Sequence, residues 1–234
     1  MIVTIDGPAG SGKSTAAREL AGRLGLAYLD TGAMYRAVAL QALQQGVELE
    51  HAQALLRVAK QAQMRLEFAG AQMRVLLDRR DVTRAVRSLR VSQATPYVAR
   101  LPEVREVLVA KQRQIGRELG DVVAEGRDQG SVVFPEADVK FFLDASLETR
   151  ARRRQAELMA EGEEVTHEQV LADLQERDGN DARQWAPLLV PGGAIRVDTT
   201  RMSIEQVVDL LEQAVRKRTG RPVGRQMGKS KRGG

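Results

Sequence analysis

Five short apolar runs punctuate the chain: Ile2 to Asp6, Ala27 to Asp30, Val122 to Glu125, Val139 to Asp144 and Ile195 to Asp198. Each has the length of a strand. The longer segments between them repeat their apolar residues at helical spacing, as Ala16, Ala17, Leu20, Ala21 and Leu24 do. This alternation predicts an α/β fold in which a parallel five-stranded sheet is covered by helices on both faces, giving three layers. Helix starts are marked by two capping boxes, Thr166-x-x-Gln169 and Ser203-x-x-Gln206, and by Pro102 at a first helical position.

Two stretches break the repeat. "MRLEFAGAQMRVLLDRRDVTRAVR", Met64 to Arg87, reads as short strands with turns at Ala69-Gly70 and Asp78-Arg79, an antiparallel ribbon inserted beside the fold. The polar, highly charged stretch from Glu148 to Trp185 reads as a helical excursion. In it Arg150, Arg153 and Arg154 share one side of a helix at i, i+3 and i+4.

Composition bounds the chemistry. The chain of 234 residues has no cysteine, which excludes disulfides and thiolate catalysis, and its two histidines, His51 and His167, are too isolated for a zinc site. Both read as solvent-facing helix residues. No apolar run approaches the ~20 residues of a membrane span, and the N-terminus enters a strand with no signal sequence, so a cytoplasmic protein is expected. The net charge of +5 suggests a nucleic-acid partner until the charges are located. The last 19 residues, from Arg216, hold eight basic groups and no acidic one, leaving 28 basic against 31 acidic groups before them. The folded body is therefore slightly acidic, and the tail reads as a disordered, solvated terminus with weak attraction for RNA as its second reading.

The first strand leads into "GPAGSGKST": Gly7, Pro8, Ala9, Gly10, Ser11, Gly12, Lys13, Ser14 and Thr15. This fits G-x-x-x-x-G-K-[ST] between a strand and a helix, the context that the motif requires. Its glycines let backbone N–H groups converge on phosphates, Lys13 reaches the β- and γ-phosphates of a nucleotide, and the Ser14 hydroxyl joins a Mg²⁺ shell. Asp6, closing the strand, is expected to bond to the loop or to metal-bound water.

Such a loop serves switches, motors and kinases alike. The single asparagine, Asn180, is followed by Asp-Ala-Arg and gives no guanine-reading element, and the Asp144 of "FFLD" reads as a helix cap. Phosphoryl transfer needs neutralisation of the moving charge, which Arg150, Arg153 and Arg154 offer from a segment able to close as a lid.

At this point the chain resembles a known family. "LDTGAMYRA" (Leu29 to Ala37), "LPEVRE" (Leu101 to Glu106), "EGRDQGSVVFPEADVKFFLDAS" (Glu125 to Ser146), "ERD" (Glu176 to Asp178) and "APL" (Ala186 to Leu188) are similar, in order, to bacterial cytidylate kinases among the P-loop nucleoside monophosphate kinases. The resemblance implies ATP + (d)CMP giving ADP + (d)CDP with Mg²⁺, by direct in-line transfer. It places the acceptor phosphate near Thr31, Arg36 and Arg127, the sugar near Tyr35, Arg177, Asp181 and Arg183, and the cytosine between Arg105 and Asp128. Arginine forks suit phosphate oxygens, and an acidic side chain suits the cytosine 4-amino group. Pro96 stands where relatives carry a serine that touches cytosine, and Gln129 where an apolar residue is usual.

The expected organisation is one kinase domain, residues 1–218. Its core is 1–34, 101–147 and 185–218, its acceptor-binding insertion 35–100 and its lid 148–184, with the basic tail at 219–234. The expected state is a monomer with no need of nucleic acid or membrane. The nearest alternative is a P-loop kinase for UMP, AMP or a shikimate-like acid; from another class comes an ATP-gated RNA-binding module, disfavoured by 3% aromatic content.

Overall fold

The computed structural model describes residues 1–160, 162–185 and 190–220, of which 182–185 are described by backbone alone. In chain order the elements are β1 (Ile2–Asp6), α1 (Lys13–Leu24), β2 (Ala27–Asp30), α2 (Thr31–Gln44), α3 (Ala52–Gln61), β3 (Met64–Ala69), β4 (Gln72–Leu77), β5 (Arg80–Asp81), α4 (Leu89–Ala99), α5 (Pro102–Leu119), β6 (Val122–Gly126), β7 (Val139–Asp144), α6 (Leu147–Ala160), α7 (His167–Trp185), β8 (Ile195–Asp198) and α8 (Ile204–Thr219).

The five apolar runs are the five strands of one parallel sheet, ordered β2-β6-β1-β7-β8. Their side chains alternate between two buried faces, as strands covered on both sides require. Val3, Ile5, Val123, Phe141, Leu143 and Val197 pack beneath α1 and α8 through Leu20, Val208 and Leu211. Val122 and Ala124 face the other way, onto Val109 of α5 and onto Phe134. The result is a three-layer α/β fold with β1 at its centre.

The ribbon forms as the sequence predicts. β3, β4 and β5 make a small antiparallel sheet. Asp78 and Arg79, with φ of 49° and 67°, form the two-residue turn whose twist a hairpin favours. Around it pack helices: Val38 of α2, Leu55 of α3, Val75 of β4, Val91 and Val98 of α4 and Leu108 of α5 share one core.

Both capping boxes are present. Thr166 and Gln169 exchange bonds at the start of α7, as do Ser203 and Gln206 at the start of α8. Pro102 occupies the first turn of α5. His51 caps α3 through Nδ1, which accepts from the Ala54 N–H, and His167 at the start of α7 faces Glu148 at 3.2 Å.

Three expectations are corrected. Ser146, not Asp144, caps α6, its hydroxyl accepting from the Thr149 N–H, while the Asp144 carboxylate accepts from the N–H of its neighbour Ala145. Helix α8 continues through Arg216, Lys217 and Arg218 to Thr219, so the basic stretch begins inside a helix, where cations suit the C-terminal dipole. The Asp6 correction belongs to the site below. Residues 186–188 and the tail from 221 lie outside the described residues. Among the described residues no helix is long and apolar enough to cross a membrane.

Candidate active site

All five parallel strands end on one side, and the loops that follow β1, β2 and β6 open there onto a cleft of about 600 Å³. Ligands of open α/β sheets bind at the carboxyl ends of the strands, where the chain reverses its winding order. Here that point lies between β1 and β6.

The loop after β1 forms one wall through Ala9, Gly10, Gly12, Lys13, Ser14 and Thr15. Gly7, Pro8 and Ser11 shape it from behind. A Cβ on Gly7 would stand 2.1 Å from the Leu143 carbonyl oxygen, so only glycine lets the loop leave the sheet there. Lys13 is buried and bends back to donate to Pro8 O at 3.2 Å. Burial, with Arg127 nearby, pushes its ammonium down to about 8.

Asp6 does not serve the loop. It is fully buried, and its carboxylate oxygens accept from the Gln129 and Gly130 N–H groups, each at 2.8 Å. Burial pushes it up to about 7 against those two bonds. Its position at the end of the central strand points it at the turn that follows the neighbouring β6, so it fixes that turn beside the cleft.

Two further carboxylates line the cleft that motif reading did not single out. Asp30, ending β2, accepts from the Ala33 N–H at 2.8 Å, from Arg36 at 2.8 Å and from Arg87 at 3.0 Å. Burial would raise it, but Arg36, Arg87, the Ala33 N–H and Lys13 together hold it below the usual range. Glu125, near the end of β6, accepts from the Tyr28 hydroxyl at 3.2 Å and is raised by burial and by Asp30, while Lys13 and Ser14 draw it down. The signal for both was positional: each lies at or beside the carboxyl end of a predicted strand next to the loop.

The far wall carries the expected acceptor residues. Thr31, Tyr35, Arg36, Arg127 and Asp128 all line the cleft, as do Arg177 and Asp181 of α7. Thr31 donates its hydroxyl to Glu125 O at 2.7 Å, and Arg127 Nε pairs with Asp181 at 2.9 Å. Arg177 pairs with Asp173 at 3.0 Å. Asp128 is buried, which raises its carboxyl, while Arg105 behind it offsets part of the rise from 3.5 Å. Pro96 of α4 also lines this wall, beside Ser92 and Thr95. The Arg183 side chain lies outside the described residues.

The three arginines of α6 share a helix side, but they part company at the cleft. Arg150 donates to Ala9 O at 3.2 Å and to both oxygens of Asp178. Arg153 donates to Ser11 O at 3.4 Å and to Thr199 at its hydroxyl and carbonyl. Only Arg154, paired with Glu157 at 3.1 Å, lines the cleft. The base of α6 crosses the outside of the phosphate loop, so each of the first two arginines holds one loop carbonyl and turns other donors to Asp178 or Thr199.

The arrangement joins a phosphate-gripping loop to a pocket lined by arginines and a buried aspartate, which suits transfer between two phosphorylated ligands. Comparison with known proteins agrees. The family model described as cytidylate kinase matches residues 3–217. A cytidylate kinase from Caldanaerobacter subterraneus subsp. tengcongensis is 48% identical over 218 residues, covering 93% of this chain and 95% of the relative. Cytidylate kinases from Carboxydothermus hydrogenoformans and Geobacter sulfurreducens are 46% and 44% identical, covering 92% and 93% of this chain and 97% and 94% of the relatives. The match runs from β1 into α8, taking in the loop, the buried carboxylates and Asp128 alike, and the chain belongs to the cytidylate kinase family.

Proposed function

We propose that the chain transfers the γ-phosphate of ATP to CMP or dCMP, giving ADP and CDP or dCDP. The observation that carries this reading is that Lys13 and Asp128 face one continuous cleft, the first suited to a triphosphate and the second to a cytosine. ATP lies along the loop, its phosphates gripped by the loop N–H groups, the N-terminus of α1 and Lys13. The acceptor phosphate is held by Thr31, Arg36 and Arg127, the sugar by Tyr35, Arg177, Asp181 and Arg183, and the base by Asp128 and Arg105.

With both substrates seated, an acceptor oxygen attacks the γ-phosphorus in line as the bond to the ADP oxygen breaks, and the protein positions and neutralises. Lys13 follows the charge as it moves toward ADP. Arg154 approaches from the lid, while Arg150 and Arg153 hold the base of the lid against the loop. The division into core, insertion 35–100 and lid 148–184 is part of this proposal, since each piece then carries one task. With nucleotides as both substrates, the cytoplasm is the compartment that it implies.

Magnesium fits these residues as a partner of the nucleotide. Among the described residues no three His, Cys, Asp or Glu side chains are grouped to cage a metal, whereas the Ser14 hydroxyl faces the cleft as a hard oxygen donor. Ser14 would hold the ion, which would supply neutralisation of the triphosphate charge when bound. An assay of ADP release against CMP, dCMP, UMP, AMP and shikimate tests the reading; CMP and dCMP are expected to be the preferred acceptors.

A further inference from the structure

Two buried glutamines stand behind Asp128, and neither lines the cleft. Gln129, next in the chain, and Gln112 of α5 put their amides 3.4 Å apart, from Gln129 Nε2 to Gln112 Oε1. The same Gln129 nitrogen lies 3.5 Å from Asp128 Oδ1. The orientation follows from chemistry: with nitrogen and oxygen exchanged, the Gln129 carbonyl would face a carboxylate and another carbonyl, three acceptors together. Both contacts are long, but an amide N–H dipole aimed at a buried carboxylate favours its charge in a site of low polarity.

The backbone places this side chain with care. Asp6 accepts from the Gln129 and Gly130 N–H groups, and the turn closes with wide i to i+5 bonds, Val133 N–H to Asp128 O at 3.1 Å and Phe134 N–H to Gln129 O at 2.7 Å. Such wide turns concentrate at functional sites. Room for the amide comes from Gly126, where a Cβ would stand 2.8 Å from Gln129 Nε2. The arrangement leaves Gln129 Oε1 without a partner, a cost that an apolar residue would avoid.

We propose that Gln129 is a positioning residue for base recognition: its amide, steadied by Gln112, donates to Asp128 and keeps that carboxylate oriented and ionised. An ionised Asp128 accepts from the 4-amino group of cytosine, whereas a protonated one donates to the 4-oxo group of uracil. The inference rests on the assignment of Asp128 to the base made above.

Four charged or titratable groups also face Asp128: Arg105 on α5, Arg127 beside it, Asp6 at the end of β1 and Tyr35 on α2. Arg105 and Arg127 favour its ionised form. Asp6, pushed up to about 7, titrates within the range of pH to be scanned, but it holds the turn as a whole and so acts on both substrates together. The ratio of kcat/KM for CMP to that for UMP cancels such effects and isolates Asp128.

The experiment measures that ratio from about pH 5 to about pH 9 in the native enzyme and in Gln129→Met, a change of similar size that deletes the donor. The native ratio is expected to fall as pH drops through the Asp128 titration. In Gln129→Met the ratio at neutral pH should fall by about tenfold, its decline should begin at higher pH, and the loss should fall more on KM for CMP than on kcat. Gln112→Met should shift the ratio in the same direction by less, and it decides the matter if Gln129→Met does not fold. A native preference for CMP that both variants keep, with the native pH dependence, overturns the Gln129 step alone. A native ratio near one at every pH overturns the proposal at its root, in the Asp128 assignment.

Discussion

Arg150 grips the Asp178 carboxylate with two bonds, 3.0 Å from Nη1 to Oδ1 and 2.6 Å from Nη2 to Oδ2, and through Nη1 also holds Ala9 O of the phosphate loop at 3.2 Å. One buried guanidinium thus ties α6, α7 and the loop together. Arg150→Ala strands Asp178 and frees the loop carbonyl. Asp178 is about a third exposed, so solvent screens part of the loss, and a cost of about 2 kcal/mol is expected. Urea unfolding should show that drop together with a fall of about tenfold or more in kcat/KM, while Asp178→Asn, which keeps one bond, should lose less of both. Native stability in Arg150→Ala would refute the clamp.

Lys13 makes ATP binding depend on pH with a definite sign. Its ammonium, pushed down to about 8, has lost its proton above that pH in the free protein, and the phosphates of ATP favour its return. ATP binding should therefore take up protons above about pH 8, and affinity should fall as pH rises. Calorimetry at about pH 9 in two buffers of different ionisation enthalpy reads the uptake directly. Lys13→Met should abolish it and lower kcat by ~10²-fold or more. A binding enthalpy independent of buffer would contradict this account of Lys13.

Asp6 links stability to pH in the opposite sense from a salt-bridged carboxylate. Its pKa rises from 3.8 to about 7 on folding, so across that window the native state binds more protons than the unfolded chain. Its contribution to stability is fully present below 3.8 and declines as pH rises toward 7. Asp6→Asn removes this slope but turns an amide N–H toward the Gln129 or Gly130 N–H, at a constant cost of about 1–3 kcal/mol. Urea midpoints against pH should show the gap between native and variant narrowing as pH rises. A gap that is flat or widens would sink the argument.

Much of the fold was legible because its signals were local. Five apolar runs bounded by polar residues gave five strands, and Asp78-Arg79 gave its turn, because period and turn chemistry act within a few residues. The phosphate loop was legible for the same reason. What escaped depended on packing between distant segments. Asp6 reads as a loop ligand until the register of β1 beside β6 aims it at Gln129 and Gly130. Arg150, Arg153 and Arg154 share a helix side in sequence, but the crossing of α6 over the loop decides that Arg154 alone of the three reaches the cleft. Arg87, on a turn after the ribbon, meets Asp30 only through the tertiary fold.

The proposal that one cleft holds ATP on the Lys13 loop and reads cytosine through Asp128 turns on the preference between two bases. Steady-state kcat/KM for CMP and for UMP, measured side by side in the native enzyme and in Asp128→Asn at neutral pH, tests it most directly. The account predicts that the native enzyme prefers CMP by at least ~10-fold, about 1.4 kcal/mol, and that Asp128→Asn erodes the preference, since an amide offers either a donor or an acceptor to the base. Pro96, which lines the cleft and presents no donor, is expected to keep the preference from being larger. Equal use of CMP and UMP by the native enzyme, or a CMP preference that Asp128→Asn leaves intact, would contradict it.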